Sequence, residues 1–145
     1  MRRKLFPDCP EDQQQRELAL YFDRPQGAPG TVGSQACFVA AKEGGTRLCG
    51  FAEVMLRSHA EGCWDYTADG SMGIAYLEAW WVDEDARGDG VGRALVDACE
   101  HWARAHGSPA LASDAELENT RSQAAHAALG FAEVERAVHF VKKFE

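Results

Sequence analysis

The stretch from residue 74 to residue 95 constrains the fold more than any other. It reads IAYLEAWWV, then DEDARGDGVG, then RAL. An apolar run suited to a buried strand ends at Val82, and a turn with glycines at positions 88, 90 and 92 follows at once. A helix then begins near Gly90 and runs to about His106, with Val91, Leu95, Ala98, Trp102 and Ala105 at helical spacing. Glycine lets a backbone come close to a ligand, and the first turn of a helix presents N–H groups and a partial positive charge. Strand, glycine turn and helix together are the machinery of a pyrophosphate cradle. Glycines also serve ordinary tight turns, so the spacing has to discriminate. A P-loop would close on Gly-Lys-Ser/Thr, and a dinucleotide fingerprint needs G-x-G-x-x-G with an acid about 20 residues on. Neither fits. The order here is R-x-x-G-x-G, at Arg87, Gly90 and Gly92.

The rest of the chain supplies one mixed α/β domain over 1–145, without repeats, linkers or low-complexity tracts. The patterning predicts a helix at about 11–22, after a loop from Pro7 to Pro10. A Pro/Gly-rich loop covers 24–34, and strands at 36–42 and 47–58 flank the hairpin signal Glu43-Gly44-Gly45-Thr46. Residues 59–73 form a long polar loop with two aromatics and two aspartates, and loops of that length are often functional. A short strand at 109–113 and a helix at 119–129 follow, closed by Gly130. The Val- and Phe-rich tail from Phe131 to Phe144 reads as one or two strands.

Charge narrows the partners. With 23 Asp and Glu against 15 Lys and Arg, the net charge of −8 argues against nucleic acid and anionic membrane. It favours a cationic small molecule, or serves solubility alone. Cys9, Cys37, Cys49, Cys63 and Cys99 are odd in number and contain no C-x-x-C pair, which fits a reducing cytosol. His59, His101, His106 and His139 lack ligand spacing, so no metal is expected. No apolar run approaches the roughly 20 residues that cross a bilayer. The basic start MRRKLF has no apolar stretch behind it and does not read as a signal peptide.

The R-x-x-G-x-G turn, behind an apolar strand ending in Val, resembles the acyl-CoA loop of GNAT acetyltransferases. Asn119-Thr120-Arg121-Ser122-Gln123-Ala124-Ala125-His126-Ala127-Ala128-Leu129-Gly130-Phe131 resembles that family's later motif. The resemblance implies a central mixed, mostly antiparallel sheet, splayed at the acyl-CoA site and flanked by helices. It implies acetyl-CoA as co-substrate, held by Trp81, Val82, Arg87, Gly88, Asp89, Gly90, Val91, Gly92, Arg93 and Asn119. Where the family usually has a tyrosine near the CoA sulfur, this chain has His126. An imidazole there either protonates the thiolate or only packs.

Several stretches are similar, more narrowly, to aminoglycoside 6′-N-acetyltransferases of the compact dimeric type. They are Tyr76-Leu77-Glu78-Ala79, Ala112-Ser113-Asp114, the run from Glu118 to Phe131, and Glu133-Val134-Glu135-Arg136, with Gly62-Cys63 adding weakly. There are departures: Leu77-Glu78-Ala79 stands where that group has Leu-Glu-Gly, and the 59–73 loop is several residues longer. Such domains open with a strand and a helix, whereas this chain starts near the end of that helix, so the usual first strand is expected to be missing. A homodimer joined through the carboxy-terminal strands is implied as well.

Acetyl transfer from a thioester needs a neutral amine, a donor for the developing oxyanion and a proton for the departing thiolate. The resemblance places the oxyanion donor on a backbone N–H of the strand 76–82. It places Glu78 and Asp114 in the acceptor pocket, where carboxylates would meet the ammonium groups of an aminoglycoside. A carboxylate on an apolar strand is costly unless used or paired, so Glu78 serves the amine or holds a structural ion pair. By period-two alternation Glu78 shares a face with Trp80 and Val82. Asp114 serves the acceptor or caps the segment after it. Trp64, Asp65, Tyr66 and Asp69 close over a sugar or form an exposed loop. Trp80, Trp81 and Trp102 read as core or interface rings. Two other readings remain open here: an acetyltransferase for a polyamine or a protein amino terminus, and a non-catalytic acyl-CoA-binding module.

Overall fold

Residues 74–82 carry a single charged side chain, Glu78, and in the computed structural model they form an inner strand of the sheet. The structure describes residues 2–5, 7–23, 30–42, 45, 47–63 and 73–144. Two helices come first, α1 (Arg2–Leu5) and α2 (Glu11–Asp23). Strands β1 (Gln35–Ala41), β2 (Leu48–Arg57) and β3 (Ile74–Val82) follow. A 3₁₀ turn (Glu84–Ala86) leads to α3 (Val91–Ala105), β4 (Leu111–Ser113) and α4 (Thr120–Ala128). Among the described residues β1 is the first strand.

The strands lie in the order β1-β2-β3-β4, the first two pairings antiparallel and the last parallel. The β1–β2 register closes on Ala41 opposite Leu48, with Lys42 N–H donating to Arg47 O at 3.2 Å, as a hairpin requires. Glu43, Gly44 and Thr46 of its turn lie outside the described residues. Two irregularities shape β3. Its pairing with β4 stops at Leu77 opposite Ser113, so residues 78–82 run on without a strand partner on that side among the described residues. The sheet is split there. On the β2 side, Glu53 pairs with Ala79 but Val54 pairs with Leu77, which leaves Glu78 as the extra residue of a bulge.

That bulge corrects the alternation expected from the sequence. An inserted residue shifts the side-chain period by one, so Ala75, Leu77, Trp80 and Val82 all belong to the core under α3. Glu78 does not share their face; it turns to the other side, towards Arg57 of β2. The core beneath α3 joins Ala52, Val54 and Leu56 of β2 to Leu95, Val96, Cys99 and Ala103 of the helix, all buried. A smaller cluster on the opposite face gathers Ala60, Ile74, Tyr76 and Ala112.

The tail is the second correction. None of residues 131–144 belongs to a strand. A strand forms only along an edge that accepts it, and β4, three residues long, offers little of one. The apolar side chains that read as strand residues stand exposed instead, Phe140 at 93% and Phe144 at 86%.

Candidate active site

The turn after β3 is built by its backbone. Gly88 and Gly90 take positive φ, 90° and 81°, which favours glycine, and a Cβ at either would meet nothing within 4 Å. Gly92 is there for another reason: a Cβ on it would come within 2.8 Å of Trp80 Cζ2. Two glycines therefore shape an open approach, and the third makes room for a ring of the core. Helix α3 starts on Gly90 with no side-chain cap and no acid in its first turn. Its first-turn N–H groups thus keep their partial positive charge facing outward.

Side chains pin this turn from behind. Arg87 Nε donates to Val82 O at 2.8 Å, and its guanidinium lies 5.1 Å from the Trp81 ring. The buried Asp83 carboxylate accepts from Trp81 Nε1 at 3.1 Å, Lys4 Nζ at 3.0 Å and Arg47 Nη2 at 3.4 Å. These bonds, the Trp81 N–H first and Lys4 next, hold its pKa down to about 2. Arg93 Nη2 donates to Ala128 O at 3.1 Å, joining the start of α3 to the end of α4. Asn119 caps α4 through its side-chain oxygen, which accepts from Ser122 N at 3.0 Å. The main chain at 88–92 fits a pyrophosphate; the side chains of Arg87, Arg93 and Asn119 each make a bond within the protein besides.

Away from this turn, side chains of β2, β3 and the end of β4 form a chain. Arg57 Nε donates to Glu78 Oε1 at 2.6 Å and its Nη2 donates to Glu78 Oε2, so the pair is bidentate. The same guanidinium stacks 3.6 Å from the centroid of Tyr76, whose hydroxyl donates to Asp114 Oδ1 at 2.7 Å. Burial works against the charge of Arg57, but its bonds to Glu78 outweigh that and its pKa is raised. Burial first, then the Asp114 bond, pushes the Tyr76 phenol above its ordinary value, so it remains a donor. Tyr76, Asp114 and His126 line a cleft of about 820 Å³ between β4, α4, the tail and the turn at 60–63. Glu61, Glu116, Glu133 and Glu135 line it too. Glu133 is bonded to Arg136 at 2.6 Å, but acids still outnumber bases on its walls.

His126 stands where this cleft meets the split in the sheet. Its Nδ1 lies 2.8 Å from Ser122 O and its Nε2 lies 2.9 Å from Ser113 Oγ. Trp80 and Phe131 meet the ring edge-on, at 5.6 and 5.1 Å between centroids.

The model of the acetyltransferase (GNAT) family matches residues 1–131. The chain belongs to this family. It is 40% identical, over 98% of its length and 86% of the relative's, to an aminoglycoside N(6′)-acetyltransferase type 1 of Klebsiella aerogenes. It is 38% identical to one of Stenotrophomonas maltophilia, over 97% of this chain and 81% of that one. The fold is similar to AAC(6′)-Iy in complex with the bisubstrate analog CoA-S-monomethyl-acetylneamine, with a TM-score of 0.80 and 30% identity. That match covers 99% of this chain and 88% of that one. AAC(6′)-Ig from Acinetobacter haemolyticus superposes with a TM-score of 0.77 at 25% identity, covering 95% and 85%.

Against this GNAT frame the expected site residues separate into groups. Gly88, Asp89, Gly90, Val91 and Gly92 come together at the open end of α3. Asp114 and His126 share the cleft; the cap of α4 is Asn119, so Asp114 does not cap that helix. Glu78 does not line the cleft and holds the ion pair that the sequence allowed as its alternative. Trp64, Asp65, Tyr66 and Asp69 lie outside the described residues. Sequence reasoning missed Arg57, which links Glu78 to Asp114 through Tyr76, and Ser113, which meets His126. Nothing in the spacing ties position 57 to 78 or 113 to 126; only a charged residue closing an apolar strand hinted at Arg57.

Proposed function

We propose that this acetyltransferase moves the acetyl group of acetyl-CoA to the 6′-amine of an aminoglycoside, by direct attack of the amine on the thioester. The observation that carries the reading is the link, through Trp80, between an anion-seeking backbone turn and a cleft rich in carboxylates: Gly92 of the turn makes room for the Trp80 ring, which meets His126 of the cleft edge-on. The first suits a pyrophosphate and the second suits a polycation. The names of the relatives agree with this pairing. Acetyl-CoA supplies the thioester. Main-chain N–H groups at 88–92 hold its pyrophosphate, and a β3 N–H beyond Leu77 stabilises the developing oxyanion. Asp114 offers charge to the acceptor's ammonium groups, and Glu78, which does not line the cleft, serves the amine through a water, as the ammonium becomes the neutral nucleophile.

A homodimer in the cytoplasm belongs to the same reading. Val138, Phe140, Val141 and Phe144 are 71–93% exposed, and a second copy would cover them. A sedimentation mass near the 15.9 kDa of one chain would argue against the dimer. The deciding test of function is thiol release from acetyl-CoA in the presence of kanamycin-like drugs, spermidine and a peptide amine. Turnover with the drugs and little with the others is expected. A preference for spermidine or peptide would move the acceptor to those classes.

A further inference from the structure

Ser113 and His126 meet where β3 and β4 part. Ser113 closes the last pair of the parallel ladder, opposite Leu77, and His126 reaches it from α4. Hydrogen-bond accounting assigns their protons. Ser122 O, 2.8 Å from Nδ1, can only accept, so Nδ1 carries the hydrogen. In the neutral ring Nε2 then accepts, and the Ser113 hydroxyl, 2.9 Å away, donates to it. The other acceptor open to that hydroxyl, Leu77 O, is more distant at 3.4 Å. Trp80 and Phe131 fix the ring from its sides. The result is a hydroxyl with a base behind it and a third group orienting the base, the arrangement that activates an O–H for proton transfer. Ring packing alone does not need a hydroxyl at the apex of the split.

We propose that Ser113 and His126 form a proton shuttle for acetyl transfer, with the Ser113 hydroxyl as the group that meets the reacting atoms. This rests on the acetyltransferase reading above. As the amine nitrogen bonds to the thioester carbon, the amine proton passes to Ser113 Oγ while the serine proton passes to His126 Nε2. The imidazolium keeps its Nδ1–H bond to Ser122 O. When the C–S bond breaks, the path runs the other way: Nε2 returns its proton to Ser113 and Ser113 gives one to the sulfur. The products are the amide and the free thiol, both side chains end as they began, and no further reagent is consumed.

The test compares Ser113→Thr with Ser113→Val, which share a shape and differ in the hydroxyl. With acetyl-CoA and a turned-over aminoglycoside both saturating, Ser113→Thr is expected to stay within several-fold of the wild-type kcat. Ser113→Val and Ser113→Ala are expected to fall by about 10²-fold or more, with both KM values and the calorimetric Kd for CoA within about twofold. Equal kcat for the Thr and Val variants, or a Ser113→Ala enzyme within twofold of wild type, would overturn the shuttle. A wild-type protein that released no thiol with any aminoglycoside would instead remove the function on which the shuttle rests, and the shuttle with it.

Discussion

The two halves of the site are made in different ways. The proposed cofactor half is one continuous stretch, 83–93, in which backbone conformation decides nearly everything: two glycines at positive φ and an uncapped helix start. The proposed acceptor half is assembled from side chains distant in sequence, Arg57 with Glu78, Tyr76 with Asp114, Ser113 with His126. A backbone device fails when one position is filled. A side-chain assembly loses its function one member at a time. The contrast orders what mutation should do to each half.

The largest effect is expected at Gly90. Aspartate is among the residues that tolerate the left-handed region, so Gly90→Asp should fold. It would place a carboxylate at the open helix start, and CoA binding should fall below detection by calorimetry. Unchanged affinity in a folded Gly90→Asp protein would break the cradle assignment. Next comes Glu78→Ala, expected to lower aminoglycoside turnover by about one to several orders of magnitude with CoA affinity nearly unmoved. Glu78→Gln divides the roles: raised KM with kcat kept marks an electrostatic anchor, lost kcat marks a base. Because Glu78→Ala also strips Arg57 of its bidentate partner, a stability loss of about 1–3 kcal/mol should accompany it in chemical denaturation. Wild-type kinetics in both variants would leave Glu78 as an ion pair only.

The same contrast explains what the sequence could reveal. The strand–turn–helix unit was legible because its parts are neighbours: a strand pattern, glycines at 88, 90 and 92, and a helix pattern, all within one span. Helix and strand positions followed for the same local reason, and β3 matched residue for residue at Ile74–Val82. The bulge at Glu78 was not legible, since it depends on how β2 pairs with β3, and it reversed the face assigned to Glu78. The tail failed likewise: Val and Phe patterning states a preference for strand but not whether an edge exists to accept it. Ser113 sat inside a motif already noted, yet its partner His126 lies on another element, and no periodicity connects them.

Smaller effects test how local the cofactor half is. Gly92→Ala should cost about 1–3 kcal/mol from crowding against Trp80, less up to about 1 kcal/mol gained from helix propensity. In a Trp80→Phe background, which removes the crowding atom, the cost should shrink, and a double-mutant cycle in denaturant measures that coupling. Additive effects would mean that Gly92 answers to the turn itself rather than to the core ring.

The smallest and most specific effect concerns Asp83. Its carboxylate sits beside the cradle but is held by Trp81, by Lys4 near the amino terminus and by Arg47 of the hairpin, with a pKa of about 2. An unfolded aspartate titrates near 3.9. A folded pKa below the unfolded one contributes stability that is fully present above about pH 4 and is lost as pH falls through about 2. Asp83→Asn keeps an acceptor for the Trp81 N–H but cannot titrate. Denaturation midpoints should therefore separate the two proteins at neutral pH and converge between about pH 4 and pH 2. A separation that stayed constant down to pH 2 would show that Asp83 does not hold its charge through these bonds. Convergence would show that even the half built from one stretch of chain is anchored by charges from two distant segments, so that its backbone geometry depends on the tertiary fold.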